Sequence, residues 1–524
     1  MKKTCIFILL VLLNLGSAYT QVQLEWERRY NSSLNAEDDA YSIDIDSAGN
    51  SYVTGRSYNG SNYDIVTLKY SQSGNQSWSR TFNGGPGLDD SPVKVKIDFQ
   101  KNVVTAGNTG NITSNKLILL KHSNDGTMLW SKIFYGPQNA PVYCGSMDID
   151  LNGNIYTWNG SSESPNGTFL LAKFNLAGDT LWTRKFKDTL NAGTYPKKVI
   201  CADSGYIYTL CHNSRFVFLI KYDQSGNIIW VSRRINIVSS DFCINNRGDI
   251  FVTGSKYEGT GRHFYTFKYN TEGILKWEAT YSEQFEEPYS VLADNEGNCY
   301  VTGNNVYSGN QIIVKYDSAG NQLWIKKINS NLNGSTCISS VDKSNNIYIA
   351  NSMFVNSIRR IITLWKYNPA GSLIYSYQYL SPSNMEDMPF DMKISDNNII
   401  YITGRSMASL SHFDFMTLKL SQPIGINTIS TDVPESFSLS QNYPNPFNPS
   451  TKIKFEIPAT SSVAQTFLSV YNVLGKQVAV LVNQNLQPDT YEVNWNAADF
   501  PSGIYFYSLR AGDYSETRKM VLIK

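Results

Sequence analysis

A lysine followed nine residues later by a tryptophan constrains this chain more than any other feature. The clearest copy is KYDQSGNIIW, Lys221 to Trp230, and the step recurs at Lys69–Trp78, Lys121–Trp130, Lys173–Trp182, Lys268–Trp277 and Lys315–Trp324. Lys366 reaches Tyr375 instead, and Lys419 has no aromatic residue after it. The missing partner lies at the other end of the chain, where Trp26 in LEWERRY precedes every lysine of the series. Eight lysines and eight aromatic strands match only if the chain closes on itself, so that the Trp26 strand completes the last repeat.

Each repeat also carries a hairpin signal. Ser42 to Gly55, SIDIDSAGNSYVTG, alternates apolar and polar residues on both sides of an Asp-x-x-Gly turn, and related hairpins recur at 147–159, 291–303, 340–351 and 393–404. Period-two alternation around such a turn marks antiparallel strands. With the strand ending in Lys and the strand carrying Trp, each unit has four strands. The lysines are 47 to 53 residues apart, and four strands at that period specify an all-β propeller. Eight blades are expected, or seven if one degenerate unit forms no blade. The blade-packing residues are Trp26, Trp78, Trp130, Trp182, Trp230, Trp277, Trp324 and Tyr375, whose flat rings cover the adjoining blade.

The pattern D-x-x-G-N-x-Y-V-T-G followed by K-Y/L-D-x-x-G-x-x-x-W resembles the secreted bacterial β-propeller repeat family, over roughly residues 24 to 420. ADSGYIYTL (202–210), which lacks the final Gly, and Tyr375 depart from that pattern.

The N-terminus reads as an export signal, residues 1–18. Lys2 and Lys3 precede an apolar run from Ile6 to Leu15, with small residues at Gly16-Ser17-Ala18. No later stretch has the ~20 apolar residues of a membrane-spanning helix. Lys plus Arg is 45 and Asp plus Glu is 44, so no global charge draws the protein to nucleic acid or an anionic membrane. Cys144, Cys201, Cys211, Cys243, Cys299 and Cys337 lack CxxC spacing and read as buried thiols.

The repeat stops after Leu420. Residues 421–436 contain two prolines and little apolar pattern, and read as a linker. From Phe437 to Lys524, alternation and turns at Leu474-Gly475 and Pro501-Ser502-Gly503 suggest an Ig-like β-sandwich of about seven strands. Tyr443-Pro444-Asn445-Pro446-Phe447, Val470 to Gly475, Gly503-Ile504-Tyr505 and Lys519 to Lys524 closely resemble the type A C-terminal sorting domain of the type IX secretion system. That resemblance implies export through the periplasm to the outer-membrane surface or beyond, and a source among the Bacteroidetes. It also implies partnership with the secretion machinery and its C-terminal signal peptidase, and anchoring to surface lipopolysaccharide or release.

Short repeated turns belong to one face of the ring and variable loops to the other, where binding residues gather. Acidic residues sit where the blade-to-blade loops enter the innermost strands: Glu37, Asp38 and Asp39, Asp89 and Asp90, Glu286 and Glu287, Glu386 and Asp387. They are candidates for a cation, calcium above all, or for a cationic ligand. Tyr58, Tyr63, Tyr135, Tyr257, Phe285 and Tyr307 are candidates for stacking on sugar rings. Asp44-x-Asp46 and Asp148-x-Asp150 lack the oxygen-rich twelve-residue calcium loop.

The four histidines stand in no catalytic motif, and no phosphate-binding loop precedes a helix. No cofactor is implied. The reading is a secreted binding protein, an adhesin or scaffold for a glycan or protein, rather than an enzyme. The alternatives are a polysaccharide lyase or glycosidase working through paired rim carboxylates, or a quinoprotein-like dehydrogenase with a similar blade-packing repeat.

Overall fold

A computed structural model describes residues 22–111, 113–162, 167–188, 195–259, 261–283, 285–329, 337–356, 359–383, 385–409, 412–422, 426–428, 434–458, 464–486, 488–497 and 500–524. The export signal read at 1–18 lies outside them. Two compact units result: Leu24–Ser421 is one, and Gln422–Lys524 is the body of the other.

The first unit contains eight four-stranded antiparallel sheets. Seven take their strands in chain order, at 38–82, 89–134, 142–186, 195–235, 237–281, 286–328 and 337–379; these are blades one to seven. Blade eight joins Asp387–Ile394, Ile400–Ser409 and His412–Ser421 to the N-terminal strand Gln23–Tyr30, which lies outermost. Each innermost strand meets the next, and Asp387–Ile394 meets Asp38–Ile45 of blade one. The ring is therefore closed by the strand that carries Trp26.

The repeat residues do identifiable physical work. In the inner turn, Asp46 Oδ1 accepts the Ala48 and Asn50 backbone N–H groups, while Oδ2 accepts the Asn50 amide and the Tyr52 hydroxyl. One side chain thus satisfies the turn's donors and ties it to the next strand, a local bond pattern that Asp provides. Asp98, Asp150, Asp294 and Asp342 repeat it.

Lys and Trp face each other in register, as at Lys69–Trp78, and both reach one carbonyl of the next blade's outer turn. Lys69 Nζ and Trp78 Nε1 donate to Asn124 O, each at 3.0 Å. Lys221 and Trp230 share Thr271 O, and Lys315 and Trp324 share Pro369 O. At the seam, Lys419 Nζ and Trp26 Nε1 donate to Gln72 O, again at 3.0 Å. The two chain ends thus rebuild the pair that every other blade takes from one hairpin. Gly74 in the receiving turn has φ +83°, its counterparts in the other outer turns lie between +77° and +92°, and a Cβ on Gly74 would lie 2.7 Å from the Trp26 ring. Glycine is required on both counts.

Innermost strands are sheet edges whose N–H groups need partners. The preceding blade supplies them. Asp391 Oδ2 accepts Ile43 N–H at 3.2 Å, Asp44 accepts Ile97 N–H at 3.0 Å, Asp148 accepts Cys201 N–H at 2.9 Å, and Asp241 accepts Val291 N–H at 3.2 Å. Lys94, Lys96 and Lys198 neutralise Asp391, Asp148 and Asp241. Asp44 and Asp46, which sequence alternation places together on one strand face, therefore serve different ends: a blade-to-blade bond and a turn.

His122 stands where most blades have an aromatic residue after Lys. It is buried against Trp78, ring centroids 5.9 Å apart, and neither ring nitrogen has a protein hydrogen-bond partner. Burial, then the charge of Arg80, pushes its pKa down to about 4. The unfolded chain takes up a proton below about pH 6.5 that the folded one refuses until about pH 4. His122 therefore contributes its full stability above pH 6.5 and loses it as pH falls to 4. His122→Phe is expected to unfold in urea like the parent at pH 7.5 and to exceed it by on the order of 3 kcal/mol at pH 4. Parallel stability curves across that window would exclude this account.

The second unit is a sandwich of two four-stranded sheets. One orders Ile426–Thr428, Asp489–Asn496, Ser450–Ile457 and Ser438–Leu439; the other orders Gln477–Leu486, Ala464–Asn472, Gly503–Ala511 and Tyr514–Leu522. Ile426–Thr428 corrects the reading of 421–436 as linker throughout. This short β-branched segment pairs with Tyr491 to Val493 and covers that edge. Phe447, Phe455, Val470, Trp495, Tyr505 and Tyr507 form the core.

Candidate functional site

In seven blades the innermost strand carries a β-bulge near its start. The residues thereby turned out are Tyr41, Val93, Gly145, Lys197, Ser240, Tyr289 and Phe390. Bulges re-aim side chains at the rims of sheets. Here they bring residues of neighbouring blades together: Tyr41 of blade one stacks on Phe390 of blade eight, centroids 5.9 Å apart and planes 17° apart. The glycine that ends V-T-G accommodates the bulge. A Cβ on Gly55 or Gly404 would run into the carbonyl of Asp39 or Met388 on the bulged strand.

Around that stacked pair a continuous ladder runs across the seam of the ring. The guanidinium of Arg405 lies 4.1 Å from the Phe413 ring centre and 5.7 Å from Phe390. Arg56 lies 5.6 Å from Tyr41 and 4.3 Å from Tyr63, and Tyr63 meets Tyr58 edge-on at 5.3 Å. The order is Phe413, Arg405, Phe390, Tyr41, Arg56, Tyr63, Tyr58, and all seven are half-buried.

Asp39 fixes the ladder. Its carboxylate, 3% exposed, bonds Arg405 at 3.3 Å through Oδ1 and Arg56 at 3.1 Å through Oδ2. The Arg405 and Arg56 side chains remain 27% and 31% exposed. Arg405 and Arg56 come from opposite ends of the chain, so this arrangement exists only because the ring closes. Burial, then the Glu37 carboxylate that accepts its hydroxyl at 2.9 Å, pushes the Tyr63 pKa up to about 12; burial and Asp39 likewise raise Tyr41. Both phenols are neutral at physiological pH.

Among the other rim acids, Asp38, Asp90, Glu286 and Asp387 bond within their own blade or its incoming loop, whereas Asp89, Glu287 and Glu386 reach the preceding blade. Asp38 Oδ2 accepts Ser32 N–H at 2.7 Å, Asp90 accepts Gly84 N–H at 2.5 Å, and Glu286 accepts Glu283 N–H at 3.0 Å. Asp387 accepts the Ser406 hydroxyl. Burial raises the pKa of Asp38, Asp90 and Asp387. Asp89 accepts Tyr63 N–H, Glu287 pairs with Arg262, and Glu386 pairs with Arg360. Among the described residues, no three His, Cys, Asp or Glu side chains group to hold a metal ion.

Of the aromatic candidates, Tyr58 and Tyr63 belong to the ladder. Phe285 and Tyr307 pair at 4.3 Å on blade six, Tyr257 lies by Arg262, and Tyr135 lies under Lys116. Sequence reading missed Tyr41, Phe390, Arg56 and Arg405 as a group. A signal was present, because the strand ending in T-G continues with Arg at 54–56 and 403–405, in the two repeats that closure makes neighbours.

In the sandwich the sorting motifs meet at one end. Phe447 is buried against Trp495, and its N–H donates to Val521 O at 3.0 Å. Asn445 Oδ1 accepts Val521 N–H, and the Gln441 amide reaches Lys519 O. Tyr505 packs on Trp495 and donates to Pro501 O at 2.8 Å. Gly475, φ +74°, closes the turn after Asn472, which pairs with Tyr505, and Gly503 pairs with Leu522. Tyr443 is 79% exposed, its backbone paired with Lys452; Pro444 O accepts the Thr451 hydroxyl, and Tyr443–Pro444 and Asn445–Pro446 are cis. Lys524 N–H donates to the Ser502 hydroxyl.

Comparison with known proteins agrees with both units. Residues 441–524 match the family described as secretion system C-terminal sorting domain, and residues 26–64 match the family described as β-propeller repeat. An uncharacterised WD repeat-containing protein of Acanthamoeba polyphaga mimivirus is 23% identical over 347 residues, 55% of this chain and 22% of that protein. Among solved structures, Sqt1 from Chaetomium thermophilum has a TM-score of 0.47 at 8% identity, covering 76% of this chain and 99% of its own. Polysaccharide lyase Uly1 has a TM-score of 0.44 at 11% identity, over 74% and 91%. Prolyl oligopeptidase B from Galerina marginata has a TM-score of 0.40 at 11% identity, and this chain spans 56% of that one. The chain is thus a β-propeller repeat protein with a type IX sorting domain, which directs secretion and surface export; no helix among the described residues is long and apolar enough to cross a membrane.

Proposed function

We propose that the propeller of this secreted protein is a glycan-binding module, an adhesin or scaffold working outside the cell, and that the seam ladder is its binding surface. The observation that carries this reading is the ladder's construction. Five flat rings and two guanidinium groups form one ladder across two blades, half-buried and held by Asp39. Aromatic faces bury the apolar face of a sugar ring at little entropic cost. Guanidinium donors already oriented by a carboxylate lose less freedom on bonding sugar oxygens. That construction supports the holding of a ligand. By the same reading, the sorting domain engages the secretion machinery, a peptidase removes it, and the propeller is anchored at surface lipopolysaccharide or released.

The test is a glycan array probed with the full chain and with Tyr41→Ala and Phe390→Ala. Specific binding that falls by roughly tenfold in either variant is expected, corresponding to the loss of about one stacked ring. Binding unchanged in both variants, or none to any glycan, would refute this reading.

A further inference from the structure

The ladder is not neutral in what it offers a ligand. Its acid, Asp39, is 3% exposed and occupied by two guanidinium groups, whereas the Arg405 and Arg56 side chains are 27% and 31% exposed. Two positive charges share one buried negative charge at the Phe390–Tyr41 step, whereas the exposed Glu37 and Asp89 carboxylates meet the ladder at Tyr63, so the cationic stretch is the step that Arg405 and Arg56 bracket. The remaining members are the half-buried Phe413, Phe390, Tyr41, Tyr63 and Tyr58 rings, with the Tyr41 and Tyr63 phenols held neutral by burial. Among the bulged residues of the other blades the one charged group is again a cation, Lys197, which is exposed.

We infer that the ligand is an acidic polysaccharide, whose carboxylate or sulfate groups bond Arg56 and Arg405 while the sugar between them lies on Tyr41 and Phe390. This inference rests on the glycan-binding reading and specifies its chemical class. The spacing supports it: the guanidinium groups bracket a two-ring step, each 5.6 to 5.7 Å from the nearer ring. Arg presents a planar fork that matches carboxylate and sulfate oxygens, and its bonds to anions are stronger than those to hydroxyls. Asp39 accepts from Nε and Nη2 of Arg56 and from Nη1 of Arg405, and Met388 Sδ meets Nη2 of Arg405 at 3.3 Å, so both groups are fixed in place before a ligand arrives.

The experiment is affinity electrophoresis and calorimetry of the full chain with polygalacturonate as the carboxylate polymer, chondroitin sulfate as the sulfated one, and amylose as the neutral one. Binding to at least one anionic polymer and weaker binding to amylose are expected, with affinity falling as salt rises from 0.05 to 0.5 M, values chosen to span the screening range. Arg56→Gln and Arg405→Gln should each cost roughly tenfold for the anionic polymer. Arg56→Lys with Arg405→Lys keeps the charge and the Asp39 pairing but loses the fork; it should fold like the parent by thermal melting and still bind more weakly. Preference for the carboxylate or the sulfate polymer would identify the anion. Equal or tighter binding of amylose, still lost in Tyr41→Ala, would overturn the acidic ligand and leave the glycan reading standing. Failure of all three polymers, together with an array blank for every glycan, would overturn both.

Discussion

Trp26→Ala is expected to destabilise the propeller by about 4 kcal/mol, more than the equivalent change within a blade built from one hairpin. Trp26 is 7% exposed and packs on Gly74, Tyr70 and Tyr401, with its indole N–H on Gln72 O. Removing it loses the transfer energy of the ring and leaves a void over Gly74. The strand Gln23–Tyr30 pairs in blade eight while the chain continues from it into blade one, so weakening it exposes the edge of His412–Ser421 and opens the ring. Trp182 is less buried, bonds Gln224 O at the longer distance of 3.3 Å, and sits on a strand held at both ends. Urea denaturation should therefore rank Trp26→Ala below Trp182→Ala in stability, and proteolysis should release the N-terminal strand of the former first. Equal costs for the two would show that closure contributes nothing beyond the ring it buries.

Asp98→Ala is expected to cost on the order of 3–5 kcal/mol, because it strands a buried charge. Lys121 Nζ lies 2.8 Å from Asp98, with side chains 3% and 1% exposed. Asp98 also accepts Gln100 and Asn102 N–H at 2.9 and 2.8 Å. Loss of the carboxylate leaves the ammonium with Leu176 O at 3.2 Å and water excluded. The double change Asp98→Asn with Lys121→Met retains an acceptor for the turn and removes the charge. Since a buried ion pair gains little over a well-packed neutral pair, it should recover most of the loss. A double variant as unstable as Asp98→Ala in chemical denaturation would instead assign the cost to the turn.

The architecture was legible because each structural demand repeats. The Asp of the inner turn returns in five units, with Ala202, Asn245 and Ser395 in the others, and the turn Gly beneath the aromatic ring returns in seven. The Lys–Trp pair gives way to Lys366–Tyr375 once, and even closure is written in the displaced Trp26. The seam ladder was harder to read. Its residues lie up to 374 positions apart, from Phe413 back to Asp39, and a β-bulge turns Tyr41 and Phe390 out of the alternation on which strand reading depends. The acidic rim shows the opposite difficulty. Asp38, Asp90, Glu286 and Asp387 look alike in sequence because each bonds its own incoming loop, a repeated structural task that resembles a shared site. In the sandwich, Ile426–Thr428 escaped notice because three residues carry no periodicity of their own.

The most direct measurement is hydrogen exchange of the full chain with and without polygalacturonate. Added protection at 38–42, 54–58, 388–391 and 403–406 is the expected result, since these segments carry the bulges and arginines of the seam. Protection confined to the outer turns, such as 71–75 and 123–127, or absent everywhere, would contradict a binding surface at the seam.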